Sequence, residues 1–185
     1  TIKDSGGNAN AIEIANSSAN VTINNLAAGT IGSGVTIGTQ DYFHAKLSSV
    51  QTISRQTWTE IAFNAVNDPN TWFNNTTKKF TPTKAGKYYI FMQAPWYAKG
   101  ESQVIFLNKN STTIDGTESA LVTKLQIDVR SNAMYAAAIG LTAFVDMNGS
   151  SDYLYSGTYF NTGSGSNQSV KLEVTTHFSG FRIGP

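Results

Sequence analysis

Cysteine is absent from the 185 residues, so no disulfide staples the fold and no thiol can serve as nucleophile or metal ligand. Charge is scarce as well: acidic and basic residues together make 14% of the chain, and the formal net charge is +1. Such a chain sets up no long-range field to draw in nucleic acid or anionic lipid. Its cations are scattered, with Lys78-Lys79 the one adjacent pair. No apolar run approaches the length of a bilayer span, and the first residues lack the basic-then-apolar layout of a signal peptide. Neither nucleic acid nor membrane is therefore expected as a partner. Histidine occurs twice, at His44 and His177, and no G-x-S-x-G elbow is present. A hydrolase triad has little to be built from, so the chain is not expected to be an enzyme, and no cofactor is expected.

What is abundant is Asn, Ser, Thr and Gly, together with 10 Phe, 8 Tyr and 3 Trp. β-branched and aromatic residues broken by Asn and Gly suit strands joined by turns, and no helical period competes with them. Residues 1–40 stand apart, nearly free of aromatics, with short alternating pairs such as Ile12/Ile14, Val21/Ile23 and Val35/Ile37. Strands of that length bury too little surface to order themselves alone. The segment is read as an N-terminal arm that orders against neighbours, as in the thin β-structured stalks of trimeric fibres. Thr1 is small enough to follow a removed initiator Met, so the sequence is expected to be a complete small protein or the end of a longer fibre.

From Asp41 strand signals follow closely: Tyr42–Leu47, Trp58–Phe63, Gly86–Tyr97, Gln103–Leu107, Ala120–Val129, Tyr135–Met147, Tyr153–Phe160 and Ser169–Ile183. Turn clusters such as Asn67-Asp68-Pro69-Asn70 and Asn148-Gly149 separate them. Many strands without helices predict an all-β sandwich or barrel over residues 41–185. In the strand from Gly86, Tyr88, Ile90, Met92 and Ala94 share one face while Tyr89 and Phe91 share the other. A strand apolar on both faces needs a cover on both, and in a two-layer sandwich the second cover is most simply another subunit.

Four stretches carry a resemblance to a known family. They are Trp58 to Asn64, Trp72-Phe73 followed by Lys79-Phe80-Thr81-Pro82, Gly86-Lys87-Tyr88-Tyr89-Ile90-Phe91, and the C-terminal Phe178-Ser179-Gly180-Phe181-Arg182-Ile183-Gly184-Pro185. In this order they resemble the C1q/TNF-like domain family, across about Phe43 to Pro185. The sequence departs from the family's pattern at Met147–Asp152, where a Gly-Asp turn is usual, and no collagen-like stalk precedes the domain. Without collagen or cysteine it looks most like the C1q-like modules of bacteriophage particles. The resemblance implies a ten-strand jelly roll assembled as a homotrimer. Tyr89, Phe91, Ala137 and Ile139 would line the trimer interface, the last two from the small-residue run Ala136–Gly140.

Several residue sets invite chemistry. His44 and His177 fall in the first and last strands, which neighbour each other in a jelly roll. They could hold a metal or respond to pH, but two polar residues near the trimer axis is the simpler reading. Asp146, Asn148 and Asp152 carry oxygens at near-alternate positions, as calcium loops do, and some C1q relatives bind calcium near the trimer top. The stretch lacks the later bidentate Glu, and a hairpin tip needs the same residue types. Of the tryptophans, Trp58 is assigned to the core, whereas Trp72 and Trp96 sit beside loops. Trp96, Tyr97 and Lys99 offer aromatic faces and a cation for a host surface glycan or protein, in preference to the Gly/Ser-rich loop Asn161 to Gln168.

These readings converge on a virion surface protein, a capsid decoration, head fibre or fibre tip. Residues 1–40 would attach it to a capsid or tail protein. The competing expectation is a secreted or cell-surface receptor-binding ligand.

Overall fold

The computed structural model describes residues 41–97, 102–114, 120–128, 137–161 and 169–185, and every regular element among them is a strand. In chain order these are β1 (Tyr42–Lys46), β2 (Gln51–Ser54), β3 (Thr59–Glu60), β4 (Ala65–Asn67), β5 (Phe73–Asn74), β6 (Lys79–Phe80) and β7 (Ala85–Tyr97). There follow β8 (Ser102–Lys109), β9 (Leu121–Asp128), β10 (Ala137–Asn148), β11 (Leu154–Asn161), β12 (Ser169–Leu172) and β13 (His177–Gly184). The arm expected over residues 1–40 lies outside the described residues.

Two antiparallel sheets face each other. The larger has seven strands in the path β2-β12-β7-β13-β1-β4, with β10 along the free edge of β7. The smaller has six, in the path β5-β6-β11-β8-β9, with β3 also paired to β11. The described residues thus form thirteen strands, not the expected ten. One reason is visible at residues 169–183, read from sequence as a single strand. The amide of Thr176 donates to the Glu173 carbonyl at 2.9 Å, a turn that divides it into β12 and β13 while both stay paired to β7. Others are the two-residue strands β3, β5 and β6, too short to show any alternation.

Between the sheets lies one aromatic core. Along β7 the alternation sends Tyr88, Ile90, Met92, Ala94 and Trp96 inward, all with no exposed surface. Phe43 stacks on Phe80 with ring centroids 4.0 Å apart and meets Phe178 edge-on at 4.8 Å. Such offset and edge-to-face pairs add to the stabilisation from area burial. Gly180 shows why the Phe-Ser-Gly-Phe stretch has a glycine at its third place. A Cβ there would sit 2.9 Å from both the Tyr89 carbonyl oxygen and the Phe43 ring, and 2.6 Å from Ile90 Cδ1. The Phe43 ring thus lies across a strand that has no side chain beneath it.

Candidate functional site: the outer face of the larger sheet

Side chains that point away from the core on β10, β7, β13 and β1 fall into register. One row reads Phe144, Tyr89, Phe181, Tyr42 across four adjacent strands. The Tyr89 ring lies 5.4 Å from Phe144 and 5.5 Å from Phe181. Phe144 is 67% exposed and Phe181 50%. Aromatics side by side in water form a contiguous apolar patch, whereas single scattered apolar residues would need no explanation. Tyr89 and Phe91 lie on the face the alternation assigned them, half-buried among their neighbours.

The next row reads Thr142, Phe91, Ser179, His44, and the one beyond it Gly140, Gln93, His177, Lys46. The two histidines do come together, with ring centroids 5.6 Å apart. His44 Nδ1 shares a hydrogen bond with Ser179 Oγ at 2.7 Å, and the His177 ring lies 5.1 Å from that of Phe91. An open cavity of about 730 Å³ adjoins them, lined by His44, Lys46, Gln93, Val174 and His177 among others, with no carboxylate among the described residues of its lining.

This arrangement fixes the sign of one pH effect. Burial holds the His44 imidazole below the ordinary histidine pKa, and the nearby His177 and Lys46 act in the same direction. Folded His44 therefore takes up a proton less readily than it does in the unfolded chain, where it titrates near about 6.5. Above that pH both states are neutral and the contribution to stability is complete. Below it the unfolded state is protonated first, so stability falls as pH drops towards the folded value. The melting temperature is expected to decline below about pH 6.5 more steeply in the natural protein than in His44→Gln. Parallel profiles would remove His44 from the effect.

Other expected site residues fall elsewhere. Ile139, expected at the interface, is 4% exposed and belongs to the core, as do Leu141, Val145 and Met147 on the same side of β10. The outward residues of that strand are Ala138, Gly140, Thr142, Phe144 and Asp146. The tryptophans are reversed from expectation. Trp96 is fully buried near the end of β7, and Trp72 is 4% exposed, whereas Trp58 is 36% exposed. Trp96 thus offers a partner no surface. The side chains of Tyr97 and Ala137, all of Lys99, and residues 162–168 lie outside the described residues.

The oxygens around Asn148 are committed to a turn. Asn148 Oδ1 accepts from the amides of Ser150, Ser151 and Asp152, each at 3.0 Å. Asp152 accepts from Lys109 at 2.8 Å and from Asn110 at 2.7 Å, while Asp146 pairs with Lys87 at 2.8 Å. The lysine and asparagine bonds hold the Asp152 carboxyl below its usual pKa. Gly149 completes the turn at φ +69°, where a Cβ would strike the Ala85 amide nitrogen at 2.2 Å.

No family model and no curated protein matches the sequence. Solved structures do match. Eiger TNF from S. frugiperda superposes with a TM-score of 0.54 at 11% identity, over 78% of this chain and 91% of that one. The globular domain of zebrafish complement 1qA superposes with a TM-score of 0.51 at 18% identity, over 78% and 98%. The fold is a C1q/TNF-like jelly roll. At these identities the likeness establishes the fold alone. The C1q/TNF-like architecture nevertheless accounts for the sequence signatures: Gly86 to Phe91 lies within β7, and Phe178 to Gly184 within β13 beside it. Phe144 and Phe181 were not singled out in advance. The period-2 pattern Leu141, Ala143, Val145, Met147 contained the signal for Phe144, because whatever alternates with a core face must face outward.

Proposed function

We propose that the protein is a non-enzymatic, homotrimeric virion surface protein of a bacteriophage, a capsid decoration, head fibre or fibre tip. Residues 41–185 would form the projecting C1q-like knob, for adhesion or shell stabilisation, and residues 1–40 would attach it to a capsid or tail protein. The observation that carries the assembly is the row Phe144, Tyr89, Phe181, Tyr42, a band of aromatics on the outer face of the larger sheet. Covering it with further copies of the same chain buries surface that a monomer leaves in water. The non-enzymatic part is supported by the fold, which superposes on a TNF and on a complement globular domain. The virion assignment is supported by a cysteine-free, Asn-, Ser-, Thr- and Gly-rich sequence with a β-patterned arm.

Light scattering is expected to give three times the 19.9 kDa chain mass. Antibody raised against residues 41–185 is expected to label purified particles at regular positions. A monomer at micromolar concentration would refute the assembly. Label absent from particles but present in culture medium would favour a secreted ligand.

A further inference from the structure

The smaller sheet also has an outward face, and its composition is different. On β11, Leu154 and Phe160 enter the core, so Tyr155, Gly157 and Tyr159 point the other way. On β8, Ile105 and Leu107 enter the core, which turns Val104 and Phe106 outward. Glu60 is paired with Gly157 and shares its outer side, and Trp58 joins it there against Phe106 and Tyr159. Gly157 makes the place distinctive: a Cβ there would lie 2.3 Å from Phe106 Cζ. The Phe106 ring fills that space, with no exposed surface of its own. Trp58 closes over it, 5.4 Å from Phe106 edge-on and 4.6 Å from Tyr159. The indole keeps 36% of its surface in water.

Two residues along, Glu60 pairs with Gly157 through the backbone and lines a cavity of about 140 Å³ together with Lys79, Thr113 and Tyr155. No described residue gives its carboxylate a hydrogen bond or an ion pair. Burial raises its pKa against the opposing pull of Lys78 and Lys79. The cavity wall is otherwise held in place. Tyr155 donates to the Thr113 carbonyl and accepts from Asn108 at 3.0 Å, and the Lys79 ammonium sits 3.9 Å above the Tyr153 ring.

We propose that this strip is a binding site for a neutral saccharide, one pyranose unit lying on Trp58 with its hydroxyls turned to Glu60 and Lys79. A sugar ring has an apolar C–H face and a rim of hydroxyls, and the strip offers the complement of each. The indole is a flat, partly exposed apolar surface. An ionised carboxylate accepts from two neighbouring hydroxyls, and an ammonium donates to a third. Residues two apart on a strand are separated by about 7 Å, a span that one or two pyranose units cover. The lining carries one carboxylate and one ammonium, and the Glu60 carboxylate would repel an acidic group on a sugar it touches, which favours a neutral sugar over an acidic one. A cavity this small falls below the range of about 300–1,000 Å³ that encloses drug-sized ligands. It suits the edge of a single sugar unit at the end of a chain.

The inference gives the adhesion role proposed above a ligand class and rests on that reading for its biological meaning. Its physical test does not depend on it, because the strip and the aromatic row lie on different sheets. Saturation-transfer NMR and calorimetry on the full chain, with a panel of neutral and acidic mono- and oligosaccharides, should find a neutral saccharide bound. Glu60→Gln should weaken that binding about tenfold or more, and Trp58→Ala likewise. Because Trp58 covers Phe106, the alanine variant can lose stability; Glu60→Gln keeps size and shape and carries the test alone. A panel with no neutral binder, a preference for acidic sugars, or binding indifferent to Glu60→Gln would each overturn the site. A trimer that binds no sugar refutes this inference alone, and a monomer that binds sugar refutes the assembly alone.

Discussion

Phe181→Asp is expected to convert the assembled protein into a folded monomer. Phe181 sits on β13 with half its surface in water, and its one close ring contact among the described residues is Tyr89 at 5.5 Å. Within a single chain the change is therefore a surface substitution, worth within about 0.5 kcal/mol of stability. In the proposed trimer the same ring would meet a neighbouring copy. Fully burying an aromatic contributes about 1.5–3 kcal/mol, and Phe181 has half of its surface left to bury. Losing that burial at all three copies costs about 2–4.5 kcal/mol per trimer, roughly one and a half to three orders of magnitude in the association constant. Desolvating three carboxylates that have no partner adds to that. Light scattering across a dilution series should show monomer mass where the natural protein is trimeric, with circular dichroism and the monomer's melting curve unchanged. A variant still trimeric at micromolar concentration would mean that this row is not where the copies meet. Phe144→Asp should behave the same way, since Phe144 is more exposed still.

The sequence was legible wherever one strand was long enough to show its period. β7 runs 13 residues, and its alternation placed Tyr88, Ile90, Met92 and Ala94 inward and Tyr89 and Phe91 outward without reference to any other strand. The same pattern, carried one step further, puts Trp96 inward. It was the glycine and lysine of the following residues, Ala98 to Glu101, that suggested an open loop. β10 shows the opposite error. The small residues Ala136 to Gly140 suggest an interface, but within β10 Leu141, Val145 and Met147 set the parity and carry Ile139 inward with them. Strands of two to four residues, β2 to β6, offer no period. Pairing partners far along the chain define them, as Glu60 is defined by Gly157 and Phe80 by Leu154. Trp58 belongs to the same class. Its exposure follows from Phe106 filling the space above Gly157, an arrangement among residues about fifty to a hundred positions away that no local pattern encodes.

Trp96→Ala is expected to destabilise the whole domain and to leave recognition on the other sheet untouched in the fraction that folds. The indole is fully buried in the core, on the inward face of β7. Truncating a buried Trp to Ala costs about 3–5 kcal/mol, from lost transfer energy and from the cavity left behind. Domains of this kind have about 5–15 kcal/mol in all. At about 2–4 °C per kcal/mol for this chain length, the melting temperature should fall by roughly 6–20 °C. Trp96→Phe separates packing from hydrogen bonding. The indole nitrogen Nε1 is buried with no hydrogen-bond partner among the described residues, and an unsatisfied buried donor costs about 1–3 kcal/mol. Phenylalanine deletes that donor while keeping most of the ring, so the two effects oppose each other. Its net cost should be well below that of alanine, about 1–2 kcal/mol. Urea melts of the three proteins measure both differences. If Trp96→Ala melted with the natural protein and lost a surface ligand instead, the residue would be a contact and not a core side chain. If Trp96→Phe cost as much as alanine, Nε1 would have a partner that the described residues do not supply.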